Sequence, residues 1–124
     1  MMRAETRNAI SAQLVDIQMT ISSNPQLADV LSRGWNGEVL TGGEATQFNQ
    51  RNTALYRYWE NVHYQYRIGL YDDSEYTKQR VAWEAYINGS TAVAEHWCRI
   101  RFQFSTEFVS EVNGLMNTHQ CTAD

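Results

Sequence analysis

Apolar residues recur along the chain at helical spacing, most regularly over residues 41–69. Phe48, Asn52, Leu55, Trp59, Val62, Tyr66 and Gly69 follow one another at alternating steps of four and three. That spacing places all seven on one seam of a single helix, roughly 40 Å long at 1.5 Å per residue. Thr41 with Glu44 forms a capping box at the start, and Gly69 can take the left-handed conformation of a C-cap. Asn52 is the polar member of the seam, so it must pair across an interface or lie near a wet end.

The flanking segments carry the same period. Ile10, Leu14, Ile17 and Ile21 make one stripe and predict a first amphipathic helix over residues 3–23. Asn24-Pro25 marks a restart, with a short second helix over residues 25–33 that turns Leu27, Val30 and Leu31 inward and stops at Gly34. After Gly69 an acidic turn supplies Asp72, Asp73 or Ser74 as cap of a fourth helix reaching about residue 88. Tyr76, Arg80, Trp83 and Ile87 share its face, and Val81 with Ala85 broadens it. The last helix spans about residues 91–117 on the stripe Val93, Trp97, Ile100, Phe104, Phe108, Val112 and Leu115.

Alternation of period two never persists, so no strand is expected. The pattern predicts an all-α fold, a bundle of about five helices with two long antiparallel helices as its spine. Residues 1–117 form one domain, and residues 118–124 form a polar tail expected to be disordered. The loop GWNGEVL carries Trp35, Val39 and Leu40, read as a lid over one end of the bundle or as a small aromatic patch for a partner.

Composition sharpens this picture in three places. With four Trp and seven Tyr against four Phe, the core must be built from rings that carry polar tips. The net charge of −4, with ten scattered Lys and Arg, argues against a nucleic-acid partner. Cys98 and Cys121 have no CxxC spacing and read as free thiols of a reducing compartment, with a bridge between them the alternative. No apolar run approaches the roughly 20 residues that cross a bilayer, and the start MMRAETRNAI has no signal-peptide core. The doubled Met1–Met2 is compatible with an initiator added to an internal fragment, leaving room for an upstream anchor.

Leads toward chemistry are few. Glu60 and His63 stand at i and i+3, the pair used twice over in di-iron bundles, but the motif occurs once and Glu60 lies off the seam, where it should be mostly solvated. Glu95 and His96 are adjacent and cannot share a site in that way. No metal and no cofactor is therefore expected. Tyr56, Tyr58, Trp59, Tyr64 and Tyr66, interleaved with Arg51, Arg57 and Arg67, have the composition of a binding hot spot. The same residues are explained by Trp59 and Tyr66 filling the core while the others cover its edges, phenol groups outward. No G-x-S-x-G turn or phosphate loop is present, and no catalytic residue is assigned.

Trp59-Glu60, Tyr64, Tyr66, Gly69-Leu70 with its acidic turn, then Trp97 followed by Phe104 and Phe108 resemble a loose set of uncharacterised bacterial proteins. In that set a membrane-anchoring helix is commonly predicted ahead of a small all-helical domain. The resemblance covers residues 24–112 and implies no catalytic residues. The expectation is an interaction or sensor-type domain that acts by binding rather than catalysis, in the cytoplasm or as the soluble portion of a membrane-anchored protein. Its partner would be a protein or a second copy, with membrane contact only through an anchor absent from this sequence. The alternative is a small-molecule-binding or enzymatic bundle. Candidate ligand or interface residues are Trp35, Tyr56, Trp59, His63, Tyr66 and Trp97, of which Trp59, His63, Tyr66 and Trp97 would line the alternative's pocket.

Overall fold

A computed structural model of the chain describes residues 4–122. It is all-α, with six helices rather than five: α1 (Ala4–Ser22), α2 (Pro25–Trp35), α3 (Gly42–Arg67), α4 (Asp73–Gly89), α5 (Thr91–Ile100) and α6 (Thr106–Leu115). A 3-10 turn, Arg101–Gln103, joins the last two. Met1, Met2, Arg3, Ala123 and Asp124 lie outside the described residues, and with them the reading of the doubled Met start and the ends of the first helix and the tail.

The 26-residue α3 is the axis of the fold and touches every other α-helix. Its capping box forms, with the Thr41 amide donating to Glu44 Oε1 at 3.4 Å. The same Glu44 receives Arg33 Nη2 at 2.6 Å and so fastens α2 to the start of α3. The far end turns at Gly69, whose φ of 83° is the left-handed conformation that glycine adopts at little cost.

Tyr56, Tyr58, Trp59 and Val62 leave the inner face of α3 and are essentially lost from solvent. Trp59 stacks on Trp83 of α4 at 5.4 Å between centroids and meets Tyr56 and Tyr86 edge-on at 5.0 and 5.4 Å. On the other side Trp97 of α5 packs on Tyr56, Phe104 and Phe108. The polar tips are satisfied inside this lattice. Tyr56 donates to the Val93 carbonyl at 3.0 Å, Tyr58 accepts from Gln79 Nε2 at 2.8 Å, and Trp97 Nε1 donates to Asn113 Oδ1 at 3.0 Å. Asn52 fits the seam for the same reason: its amide donates to the Phe48 carbonyl at 3.0 Å and its oxygen accepts from the Tyr86 hydroxyl. The expectation that Tyr56 and Tyr58 point their phenols outward is thus overturned, because each phenol finds its partner within the core.

The second long helix does not form. The stripe from Val93 to Leu115 breaks at Phe104, which is extended (φ −113°, ψ 165°), and α6 restarts with Ser105 as cap, its Oγ accepting from the Phe108 amide at 3.3 Å. The bend lets Phe104 and Phe108 both close on Trp97, which a straight helix would reach with one turn only. Glu60 helps to hold it: its Oε2 accepts from the Ser105 amide at 2.9 Å, so this carboxylate is half-buried rather than solvated.

Other boundaries move for local reasons. Helix α2 runs through Gly34 to Trp35, because Gly34 is a point of close approach rather than a stop: a Cβ there would lie 2.4 Å from the Phe48 ring. Trp35 accordingly closes α2 and packs on Tyr86 at 5.2 Å, while Val39 stands in solvent. Val81 and Ala85 lie on the exposed side of α4 and do not broaden its inner face. The outermost helix is α1, which buries Ile10 and leaves Leu14, Ile17 and Ile21 partly covered.

Cys98 and Cys121 are bonded to each other, which corrects the free-thiol reading. Their Cα atoms are 5.4 Å apart because the chain after α6 folds back along α5. Asn88 guides that return, its side-chain oxygen accepting from the amides of Asn117 at 2.9 Å and Thr118 at 3.2 Å. The described part of the tail is therefore tied down at both ends, where polarity alone suggested disorder.

His96, on α5, is buried against α3. The Thr53 hydroxyl donates to the Asn49 carbonyl, so its oxygen accepts from His96 Nε2 at 2.9 Å and leaves Nδ1 buried without a partner among the described residues. Burial, with Arg99 nearby, pulls this imidazole down to about 4. A folded value below the ordinary 6.5 means that its contribution to stability is complete above pH 6.5 and is lost as pH falls through about 4. Urea unfolding at pH 7 and pH 4 should differ by up to about 3 kcal/mol from this group. His96→Gln should flatten that part of the profile, and an unchanged slope would remove the assignment.

Candidate functional site

The surface chemistry of the molecule concentrates where α6 lies along the outer edge of α3. His63 stands one turn beyond Trp59, at the rim of the ring lattice, and is only 8% exposed. Its ring rests against Tyr76 and Phe108, at 6.1 and 5.8 Å between centroids. Nδ1 accepts from Arg67 Nε at 3.3 Å, which fixes the ring proton on Nε2. Around it opens a trough of about 540 Å³ lined by His63, Arg67, Thr106, Glu107, Ser110 and Glu111. A second groove of about 310 Å³ shares Arg67 and continues along Arg57, Glu60, Asn61, Tyr64 and Ser105.

Three cation–carboxylate pairs run along these grooves. Arg57 lies 3.6 Å from Glu60, Arg67 lies 3.8 Å from Glu107, and Arg80 Nε donates to Glu111 at 3.2 Å. Glu111 also accepts the Tyr76 hydroxyl, whose titration is pushed well above the ordinary phenol range by burial and by that bond. His63 is held below its usual value chiefly by burial; Glu111 opposes this and Arg67 adds to it. At neutral pH its imidazole is uncharged, with Nδ1 engaged by Arg67 and Nε2–H left to donate beside the carboxylates.

The six candidate residues part company in this arrangement. His63 lines the trough, whereas Tyr66 is half-buried outside its lining, stacked on Tyr76 at 3.9 Å. Tyr56, Trp59 and Trp97 are in the core, and Trp35 packs at the far end of α2. Glu60 faces the Ser105 amide and Arg57, not a ligand shared with His63. Among the described residues no three of His, Cys, Asp and Glu converge to hold a metal ion. Glu111 and Tyr76, which complete the His63 environment, went unassigned from sequence. Glu107 and Glu111, four apart and so on one face of a helix, were the available signal.

The fold and this trough define a class: an all-α domain that consumes most of its rings in the core and presents arginines, carboxylates and one histidine along a helix–helix edge. No protein-family model matches the chain, and no match was found among the curated proteins or the solved structures.

The electrostatics can be tested on His63 directly. Following its ring protons by NMR through a pH titration, Arg67→Ala should raise the titration midpoint and Glu111→Gln should lower it further. Shifts of the opposite sign, or none, would mean that His63 does not sense the trough.

Proposed function

We propose that the chain is a binding domain that recognises a protein partner through the α3–α6 edge. The observation that carries this reading is the pairing of exposed aromatics with arginines outside the core. Tyr64 is 47% exposed with the Arg67 guanidinium 5.6 Å from its ring. Phe102 is 80% exposed on the 3-10 turn that receives Arg57 at the Gln103 carbonyl. Tyr, Phe and Arg are enriched at protein interfaces, and rings already anchored on helices lose little entropy on contact.

The Cys98–Cys121 bond supports an oxidising compartment, since such bonds are kept reduced in most cytosols. Of the two locations expected from sequence, the soluble portion of a membrane-anchored protein accords with that bond better than the cytoplasm does. No helix among the described residues is long and apolar enough to cross a membrane, so attachment would depend on an anchor outside this sequence.

One observation favours a second reading, a small-molecule-binding or enzymatic bundle: the uncharged His63 sits in the same trough as Glu107 and Glu111. The two separate in one selection. Random peptides displayed on phage and selected on the wild-type domain should lose binding to a Tyr64→Ala, Arg67→Glu variant of unchanged melting temperature. Binders indifferent to that variant would contradict the first reading. Turnover of an ester or phosphoester panel that disappears in His63→Gln would establish the second.

A further inference from the structure

Arg67 is placed by three neighbours at the α3–α6 edge. Its Nε donates to His63 Nδ1 at 3.3 Å, one turn earlier on α3. Its Nη1 lies 3.8 Å from Glu107 Oε2 on α6, and its guanidinium carbon stands 5.6 Å from the Tyr64 ring. The His63 contact is the hydrogen bond of the three, and it is conditional. A guanidinium has donors and no acceptor, so the bond needs the Nδ1 lone pair, which an imidazolium lacks. Once Nδ1 carries a proton, two donors and two positive charges face each other across that distance. His63 cannot turn away, because its ring is 8% exposed and wedged between Tyr76 of α4 and Phe108 of α6. Arg67 can, since its side chain keeps 30% exposure and opens onto the trough.

We infer that His63 is a pH-operated latch on Arg67: unprotonated at Nδ1 it holds the guanidinium beside Tyr64, and protonated it releases the guanidinium toward Glu107 and leaves Tyr64 uncovered. The groups that face the ring come from each helix packed on it. Glu107 and Glu111 face it from α6, and Glu60 and Arg67 from α3 itself. From α4 the Tyr76 phenol lies against it, while Arg80 is occupied by Glu111. Burial and Arg67 oppose the imidazolium and the three carboxylates favour it, a balance that leaves the ring titrating below the ordinary 6.5. The latch is therefore closed at neutral pH and opens in acid. Its consequence for docking rests on the reading of the α3–α6 edge as a protein-binding face. Affinity through Tyr64 and Arg67 is full above the His63 midpoint and falls as pH drops through it, by up to about tenfold for each unit below.

Two measurements separate the latch from the docking reading. The first uses the isotopically labelled full-length protein alone, with the Arg67 Nε–H and the Tyr64 ring protons followed by NMR from neutral pH into acid. Both should shift with the midpoint of the His63 ring, and in His63→Gln, whose amide does not titrate, both should stay in place. Arg67 and Tyr64 signals that hold still while His63 titrates in the wild-type protein would overturn the latch, even if the variant failed to fold. So would a shift of the same size in His63→Gln, which would trace it to the carboxylates. The second uses a phage-selected peptide whose binding needs Tyr64 and Arg67. One unit below the His63 midpoint its affinity for the wild-type protein should have fallen about tenfold, with His63→Gln nearly flat. Equal affinity at both pH values would overturn the latch as a control on docking. Failure to select any such peptide would instead count against the docking face, and the latch would stand or fall on the Arg67 and Tyr64 signals.

Discussion

The structure depends on one constraint: the indole of Trp59 must be enclosed on all sides. Trp83 covers its face and Tyr86 abuts it edge-on, both from α4, which Trp59 thereby fixes against α3, and Tyr56 of α3 itself closes another edge. Through Tyr56 the lattice passes to Trp97, and through Trp97 to Phe104 and Phe108. Offset and edge-to-face arrangements of this kind add to the burial of ring area itself. Three of the later helices are oriented by rings rather than by aliphatic ridges, and the bend at Phe104 follows from that geometry.

A core of Tyr and Trp must answer for its polar atoms, and here the accounting is nearly complete. Tyr56 finds the Val93 carbonyl, Tyr58 finds Gln79, Trp97 finds Asn113, and Asn52 joins Phe48 to Tyr86. Among the described residues the exceptions are Trp83 Nε1, His96 Nδ1 and two guanidinium nitrogens of Arg51, Nε and Nη1. His96 accommodates its bare nitrogen by remaining neutral. Arg51 has no such recourse, because a guanidinium does not deprotonate in a protein.

What the sequence disclosed follows the distinction between local and long-range causes. The seam of α3 and the boundaries at Thr41, Asn24-Pro25 and Gly69 depend on period, capping and backbone freedom, all written locally. Gly34 looked like a stop because its purpose, room for the Phe48 ring, lies fourteen residues away. The break at Phe104 carries no Gly or Pro, and it required a carboxylate from α3 that sequence placed in solvent. Cys98 and Cys121 meet where the returning chain is held by Asn88 and by Arg101 at the Thr122 carbonyl. For the surface, His63 was legible as a candidate, whereas Glu111 and Tyr76 became its neighbours through the packing of α6 and α4. Tyr56, Trp59 and Trp97 had the composition of an interface and serve the core, since composition does not say which way a ring points.

The most direct measurement is the unfolding of Trp59→Ala by urea, read by near-ultraviolet circular dichroism alongside far-ultraviolet helicity. If the indole organises the bundle, the variant loses about 3–5 kcal/mol and its near-ultraviolet bands collapse while much of the helix signal persists. A loss under about 1 kcal/mol, with the aromatic bands intact, would show that the helices hold their places without it.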